Sequence, residues 1–218
     1  MNKLILIALL FFSPFIKAQH DISTDLLGFA FSNYGLGYEY ALNSQNSVGI
    51  NVNFASKNLF DDGKSAYGKI DNYSEMNIIP EYKMFLTPNK GNDGFYLGAY
   101  GRFRTSNSKD NKFDYQDPNN PNPLVSEKTD VSTTGFALGA LTGYKWKTTG
   151  LFFFEFTFGV GKFITNSIDV SNNKTKDLTK NEFNEDDYVP YIGNGLPVDL
   201  RLAIKIGLRF GGGNSSTN

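Results

Sequence analysis

Near its C-terminal end the chain reads Asp-Leu-Arg-Leu-Ala-Ile-Lys-Ile-Gly-Leu-Arg-Phe, residues 199–210. Successive side chains of a β-strand point to opposite faces. Leu200, Leu202, Ile204, Ile206, Leu208 and Phe210 therefore share one face, and Arg201, Ala203, Lys205, Gly207 and Arg209 share the other. Few environments accept a ribbon that is wholly apolar on one side and charged or tiny on the other.

The same alternation recurs. Further strands are expected at about 25–31 (Leu27, Phe29 and Phe31 against Gly28 and Ala30), 35–42 (Leu36, Tyr38 and Tyr40 against Gly37, Glu39 and Ala41) and 48–54 (Val48, Ile50, Val52 and Phe54 against Gly49, Asn51 and Asn53). They continue at 75–86, 95–104, 133–146 and 151–163, which together with 199–210 makes eight. The longer ones are near the ~10 residues that a tilted strand needs to cross a bilayer. Connections alternate: 43–46, 87–93 and 147–150 are short and turn-rich, whereas 55–74, 105–132 and 164–197 are long, polar and rich in Asn, Asp and Pro. Long loops of this kind are uncommon in compact soluble domains. An up-and-down antiparallel barrel with both termini on the short-turn side predicts this rhythm.

Ahead of the strands, Met1-Asn2-Lys3, an apolar run from Leu4 to Phe12 and Ile16-Lys17-Ala18 before Gln19 have the layout of a secretory signal peptide. The run is too short to span a bilayer. Residues 1–18 are therefore read as the signal, 19–210 as the barrel and 211–218 as a tail. Without Lys3 and Lys17, 19 basic side chains face 22 acidic ones, a balance that gives no reason to expect nucleic acid as a partner. Cysteine is absent, so strand pairing and packing must hold the fold.

Alternation leaves the inside of the barrel undecided, since a soluble lipocalin-like binder in the periplasm would carry its apolar face inward. Three features favour a transmembrane barrel. The polar face is rich in glycine, which suits a narrow lumen and weakens an exposed sheet. Tyr40, Tyr82, Phe95, Tyr144, Trp146, Phe152 and Phe210 gather beside the short turns, as an interfacial aromatic girdle would. The apolar face is nearly free of charge, the exception being Lys162 at the long-loop end.

With these segments in view, "LGYEYAL" (Leu36–Leu42), "PEYKMFL" (Pro80–Leu86), "GFYLGAYGRFR" (Gly94–Arg104) and "GFALGALTGYKW" (Gly135–Trp146) resemble the small OmpA/OmpX-like outer-membrane barrels. Among those they look like an uncharacterised barrel family typical of Bacteroidota. The resemblance implies an eight-stranded barrel in the outer membrane of a Gram-negative bacterium, with lipid and the barrel assembly machinery as partners. Many such proteins end on an aromatic residue; here Phe210 is followed by eight more residues.

The face opposite the apolar one carries Glu39, Glu81 and Glu155 together with Lys83, Arg102, Arg104, Lys145, Arg201, Lys205 and Arg209. A narrow lumen holding both signs should pair them, because an unpaired buried charge is costly. The three glutamates are expected to meet Arg102, Arg201, Lys205 or Lys83, either as a plug or as the gate of a porin-like pore. No enzyme chemistry is expected: the single histidine, His20, lies ahead of the first expected strand, where it could not be preorganised as a base. Gly159-Val-Gly161-Lys162 lacks the spacing of a phosphate loop. The acidic stretches Asp61-Asp62-Gly63 and 182–187 lack calcium-loop spacing, so no metal or other cofactor is expected. The expected role is that of a monomeric, structural or surface-interaction protein, meeting an extracellular partner through loops 55–74, 105–132 and 164–197.

Overall fold

A computed structural model of the chain describes residues 19–56, 73–89, 91–117, 120–148, 150–171, 191–192 and 196–211. The expected signal segment, the loop at 57–72, the acidic stretches at 61–63 and 182–187 and the tail beyond Gly211 lie outside these residues.

The strands are β1 (His20–Asp25), β2 (Asn33–Ala41), β3 (Asn46–Ala55), β4 (Ser74–Phe85), β5 (Gly94–Asp117), β6 (Asn120–Lys147), β7 (Phe152–Val170), β8 (Tyr191–Ile192) and β9 (Leu196–Phe210), with one short helix, α1 (Leu26–Ala30), after β1. All pairings are antiparallel. Neighbours in sequence are neighbours in space, and β9 returns to pair with β1. β8 is a two-residue adjunct on β9. The result is a closed, eight-stranded antiparallel β-barrel, its sheet edges joined where β9 meets β1.

Side-chain direction follows the alternation. On β9, Arg201, Ala203, Lys205, Gly207 and Arg209 are buried inside, while Leu200, Leu202, Ile204, Leu208 and Phe210 are exposed outside. Every barrel strand has large apolar residues on its outer face, among them Ile22, Leu36, Ile50, Met84, Leu97, Leu138 and Phe154. The apolar face is thus the outer one, so the chain does not take the lipocalin-like arrangement. Lys162, the charge on that face, is exposed.

Three expectations need correction. Residues 25–31 are not a strand. Asp25 caps a helical turn, its side chain accepting from the Leu27 N–H at 3.1 Å, and the chain reverses through Phe31 and Ser32, whose φ is 56°. Gly28 lets this turn sit against the carbonyl oxygen of Asn33, where a Cβ would collide. The apolar alternation of Leu27, Phe29 and Phe31 is therefore a misleading period. The first strand precedes it, so His20 is an ordered strand residue opposite Tyr40 and Phe210.

Residues 105–132 are not an irregular loop. β5 and β6 pair continuously to Asp117–Asn120, with register shifts between Ser108 and Asn111 and between Tyr115 and Asp117. Among the described residues the ribbon beyond Asn107 and Val131 pairs only with itself, so its backbone hydrogen bonds are made within a sequence that reads as polar loop. Likewise, residues 164–170 of the expected third long loop extend β7. A bulge at Ile164 pairs Phe136 with Thr165 but Ala137 with Phe163, keeping Phe163 inside and Ile164 outside.

The lumen also holds aromatic rings: Tyr96 and Tyr100, on the polar face of the expected fifth strand, and Phe85, Phe153 and Phe163, which the strand pattern left unassigned, are all buried. The small residues face them. A Cβ on Gly161 would come within 2.9 Å of the Tyr100 hydroxyl, and one on Gly207 would overlap the Phe153 ring.

Candidate functional site

The lumen is filled by charge. At the short-turn end Arg209 holds Asp21 with two parallel hydrogen bonds, Nε to Oδ1 at 2.8 Å and Nη2 to Oδ2 at 2.7 Å, the fork-on-carboxylate geometry that guanidinium favours. Lys145 donates to Asp21 at 3.1 Å and to Glu39 at 2.5 Å. Lys83 sits at the centre, 2.6 Å from Glu39, in contact with Glu155 and 3.5 Å from Glu81. Glu155 also accepts from the Tyr96 hydroxyl at 2.6 Å. Above this, Glu81 receives Arg201 and Asn51, with Lys205 at 3.6 Å, and Lys205 donates to Asn51 at 2.9 Å.

Two further pairs continue toward the long-loop end. Arg102 meets Asp199 at 3.2 Å. Arg104 donates to Glu75 at 2.8 Å and to the Tyr73 hydroxyl at 2.9 Å. Burial first, then the neighbouring Glu75 carboxylate, raises the Tyr73 hydroxyl well above its ordinary pKa although Arg104 opposes this, so it remains a donor to Glu75. Rings lie under the cations: Lys83 is 5.0 Å from the Tyr96 centroid and Lys145 4.9 Å from that of Phe153.

The short-turn mouth is closed from below. Gly91, whose φ is 86°, turns the chain under the barrel, and Asn92 and Asp93 are buried. The Asn92 carbonyl accepts from Arg209 Nη2 at 2.8 Å, and Asp93 accepts from the Asn89 N–H at 2.7 Å. Beside this network the interior keeps a hollow. A cavity of about 440 Å³ lies along β1, β2, β3 and β9, bordered by Ser23, Asn51, Asn53, Asn77, Arg102, Arg201 and Lys205.

All ten expected lumen charges point inward: Glu39, Glu81, Lys83, Lys145, Glu155, Arg201 and Lys205 form one network, while Arg102 pairs with Asp199, Arg104 with Glu75 and Arg209 with Asp21. None of the three glutamates meets Arg102. Their further partner is Lys145, and the carboxylates missed were Asp21, Glu75 and Asp199. For Glu75 and Asp199 parity was available, since they share a face with Glu81 and with Arg201. Asp21 was hidden by the misplaced first strand. The expected girdle residues Tyr82, Phe95, Tyr144, Trp146, Phe152 and Phe210 lie exposed on the outer face and Tyr40 half-exposed, with Tyr144 and Trp146 rings 4.6 Å apart. His20 belongs to this outer rim, its Nδ1 2.7 Å from the Tyr38 hydroxyl. Among the described residues no three acidic or histidine side chains cluster as a metal site would require.

A closed antiparallel barrel whose lumen is packed with paired charges and whose outer wall is apolar is the class that fold and site define. By its sequence the chain belongs to the family described as protein of unknown function (DUF3575), whose model matches residues 4–194. No curated protein matches the chain. Among solved structures it is similar to a major outer membrane protein from Thermus thermophilus, at 14% identity and a TM-score of 0.40, over 88% of this chain and 99% of that one. It is also similar to CarO2 from Acinetobacter baumannii, at 12% identity and a TM-score of 0.38, over 89% of this chain and 98% of that one.

Proposed function

We propose that this chain is an outer-membrane β-barrel with a plugged lumen, a non-enzymatic scaffold that presents the β5–β6 ribbon outside the cell. The inverted polarity carries the reading: buried ions inside, large apolar side chains outside on every barrel strand. In water such a wall would be one continuous apolar patch, far beyond what soluble monomers expose. Its height fits a bilayer. Phe95 and Phe103 bound the apolar stretch of β5, roughly 27 Å along the strand, or about 20 Å along the axis at a tilt near 40°. Beyond Ser108 the β5–β6 ribbon reaches about 30 Å further. Of the described residues, it is the part placed to meet an extracellular partner.

The plug argues against the porin-like alternative. Lys83, Lys145, Glu81, Glu155 and Arg201 are buried and mutually bonded across the full width of the lumen, above a mouth closed by residues 87–93. The test has two arms. The protein expressed with its own signal should fractionate with outer membranes and run faster unheated than heated on SDS gels; recovery as a soluble periplasmic protein would end the membrane reading. Reconstituted in planar bilayers it should give no unitary current steps, and steady conductance would overturn the scaffold reading in favour of a pore.

A further inference from the structure

The barrel wall is incomplete on one side. β1 pairs with β9 only as far as Asp25–Lys205, and with β2 only as far as Thr24–Leu36. β9 continues past that point along β7 to Val198, and β2 continues along β3 to Asn33. Between β2 and β9 the wall is therefore made by α1 instead of a strand. The Asp25 carboxylate holds the corner, accepting from the Leu27 N–H and from the Ile204 N–H, each at 3.1 Å.

The cavity passes through this seam. Its border includes inward Arg102, Arg201 and Lys205, and also Phe158, Leu200 and Leu202, which are outer-face residues at 44%, 56% and 53% exposure. Leu27 and Phe31 of the helical turn line it too. One hollow thus joins a cationic, amide-lined interior to the apolar outer surface. On the reading that this surface faces lipid, the seam opens into the outer half of the bilayer, since Leu202 and Leu200 lie between the Asp25–Lys205 corner and Lys162 at the long-loop rim.

The geometry points to a lateral binding site for a single-chain amphiphile with a carboxylate head, a long-chain fatty acid. Its head lies among Arg102, Arg201 and Lys205, and its tail leaves between α1 and β9 over Phe158, Leu200 and Leu202. Three observations select that chemistry. The cavity's volume lies at the small end of ligand pockets and leaves no room for a head group bearing several chains. Arg102, Arg201 and Lys205 all border the cavity, so three cationic side chains converge on one hollow. The carboxylates that border it are already engaged, Glu75 by Arg104 and Asn77, Asp25 by two backbone N–H groups.

The test uses the full barrel in phosphatidylcholine nanodiscs with hexadecanoic acid carrying a photoreactive diazirine at its chain end, and the matching hexadecanol as control. Insertion is verified independently by heat-modifiable mobility, so loss of the membrane fold is read separately from loss of the site. Crosslinks from the acid should saturate and concentrate on α1 and on Phe158, Leu200 and Leu202. Ala203→Phe, which fills the cavity from inside, should lower their yield at least tenfold; should that variant fail to assemble, Ala55→Phe at the cavity's upper rim reads the same. Arg102→Gln should weaken the acid about tenfold, the worth of one charge-assisted hydrogen bond, without changing the alcohol. Labelling spread evenly around the belt, or unaltered by a folded cavity-filling variant, overturns the site. Equal labelling by acid and alcohol, unmoved by Arg102→Gln, overturns the carboxylate assignment.

Discussion

Replacing Lys83 with methionine should be among the most damaging single changes in the lumen. Its ammonium lies within 3.5 Å of Glu39, Glu81 and Glu155, but the three do not suffer equally when it goes. Glu39 keeps Lys145 at 2.5 Å, and Glu81 keeps Arg201 and Asn51. Glu155 is left with the Tyr96 and Thr157 hydroxyls and with Lys145 only at 3.8 Å. Breaking a buried pair from one side costs ~3–5 kcal/mol. With two of three carboxylates still partnered, the low end, about 3 kcal/mol, is expected. Glu155→Gln in the Lys83→Met background should then recover roughly 2 kcal/mol, a coupling within the usual range for bonded neighbours. The assay is reversible urea unfolding in lipid vesicles, followed by fluorescence of Trp146, the single tryptophan, which leaves the bilayer on unfolding. A Lys83→Met variant within ~0.5 kcal/mol of the parent, the range of ordinary surface substitutions, would refute the reasoning. So would a double variant whose loss equals the sum of the singles.

Further outcomes follow from the same geometry. Ala99→Arg, midway between Phe95 and Phe103 on the outer face, should cost ~2–4 kcal/mol of vesicle stability, whereas Asn107→Arg beyond the belt should cost ~0–1 kcal/mol. Gly139→Val puts a branched side chain against the Tyr100 ring and the Val160 carbonyl and should lose ~1–3 kcal/mol or fail to assemble, read as loss of the heat-modifiable band. Gly91→Val forces a branched residue to φ 86° and should loosen the 87–93 turn. Its readout is faster protease cleavage there from the periplasmic side, with the barrel's heat-modifiable band unchanged.

Most of the wall was legible because a two-residue period in a half-buried strand is a local property: Leu200 to Phe210 sort themselves without any knowledge of a partner. The faces of Glu39, Glu81, Lys83 and Glu155 followed from the same parity. Which charge meets which did not, because that depends on register around a closed barrel. Lys145 reaches Glu39 from the opposite side of the wall, a contact that no linear spacing announces. The first strand was missed for a different reason. Leu27, Phe29 and Phe31 imitate a strand period while Asp25 acts as a helix cap, and the cap prevails where β9 offers Ile204 N–H as a second partner for the same carboxylate. The β5–β6 ribbon was invisible to hydropathy because its sequence is polar without a two-residue apolar period, while its backbone pairs across the two strands.

The orientation of the wall is the claim on which the rest depends, and the absence of native cysteine makes it directly measurable. Single cysteines placed in turn along 200–210, each carrying a fluorophore, can be read in vesicles with a lipid-attached nitroxide quencher and a water-soluble one. Labels at 200, 202, 204 and 208 should be quenched by the lipid nitroxide, and labels at 203 and 207 should be protected from it. Lipid quenching that is uniform along the strand, or strongest at 203 and 207, would contradict an apolar wall facing the bilayer around a charged interior.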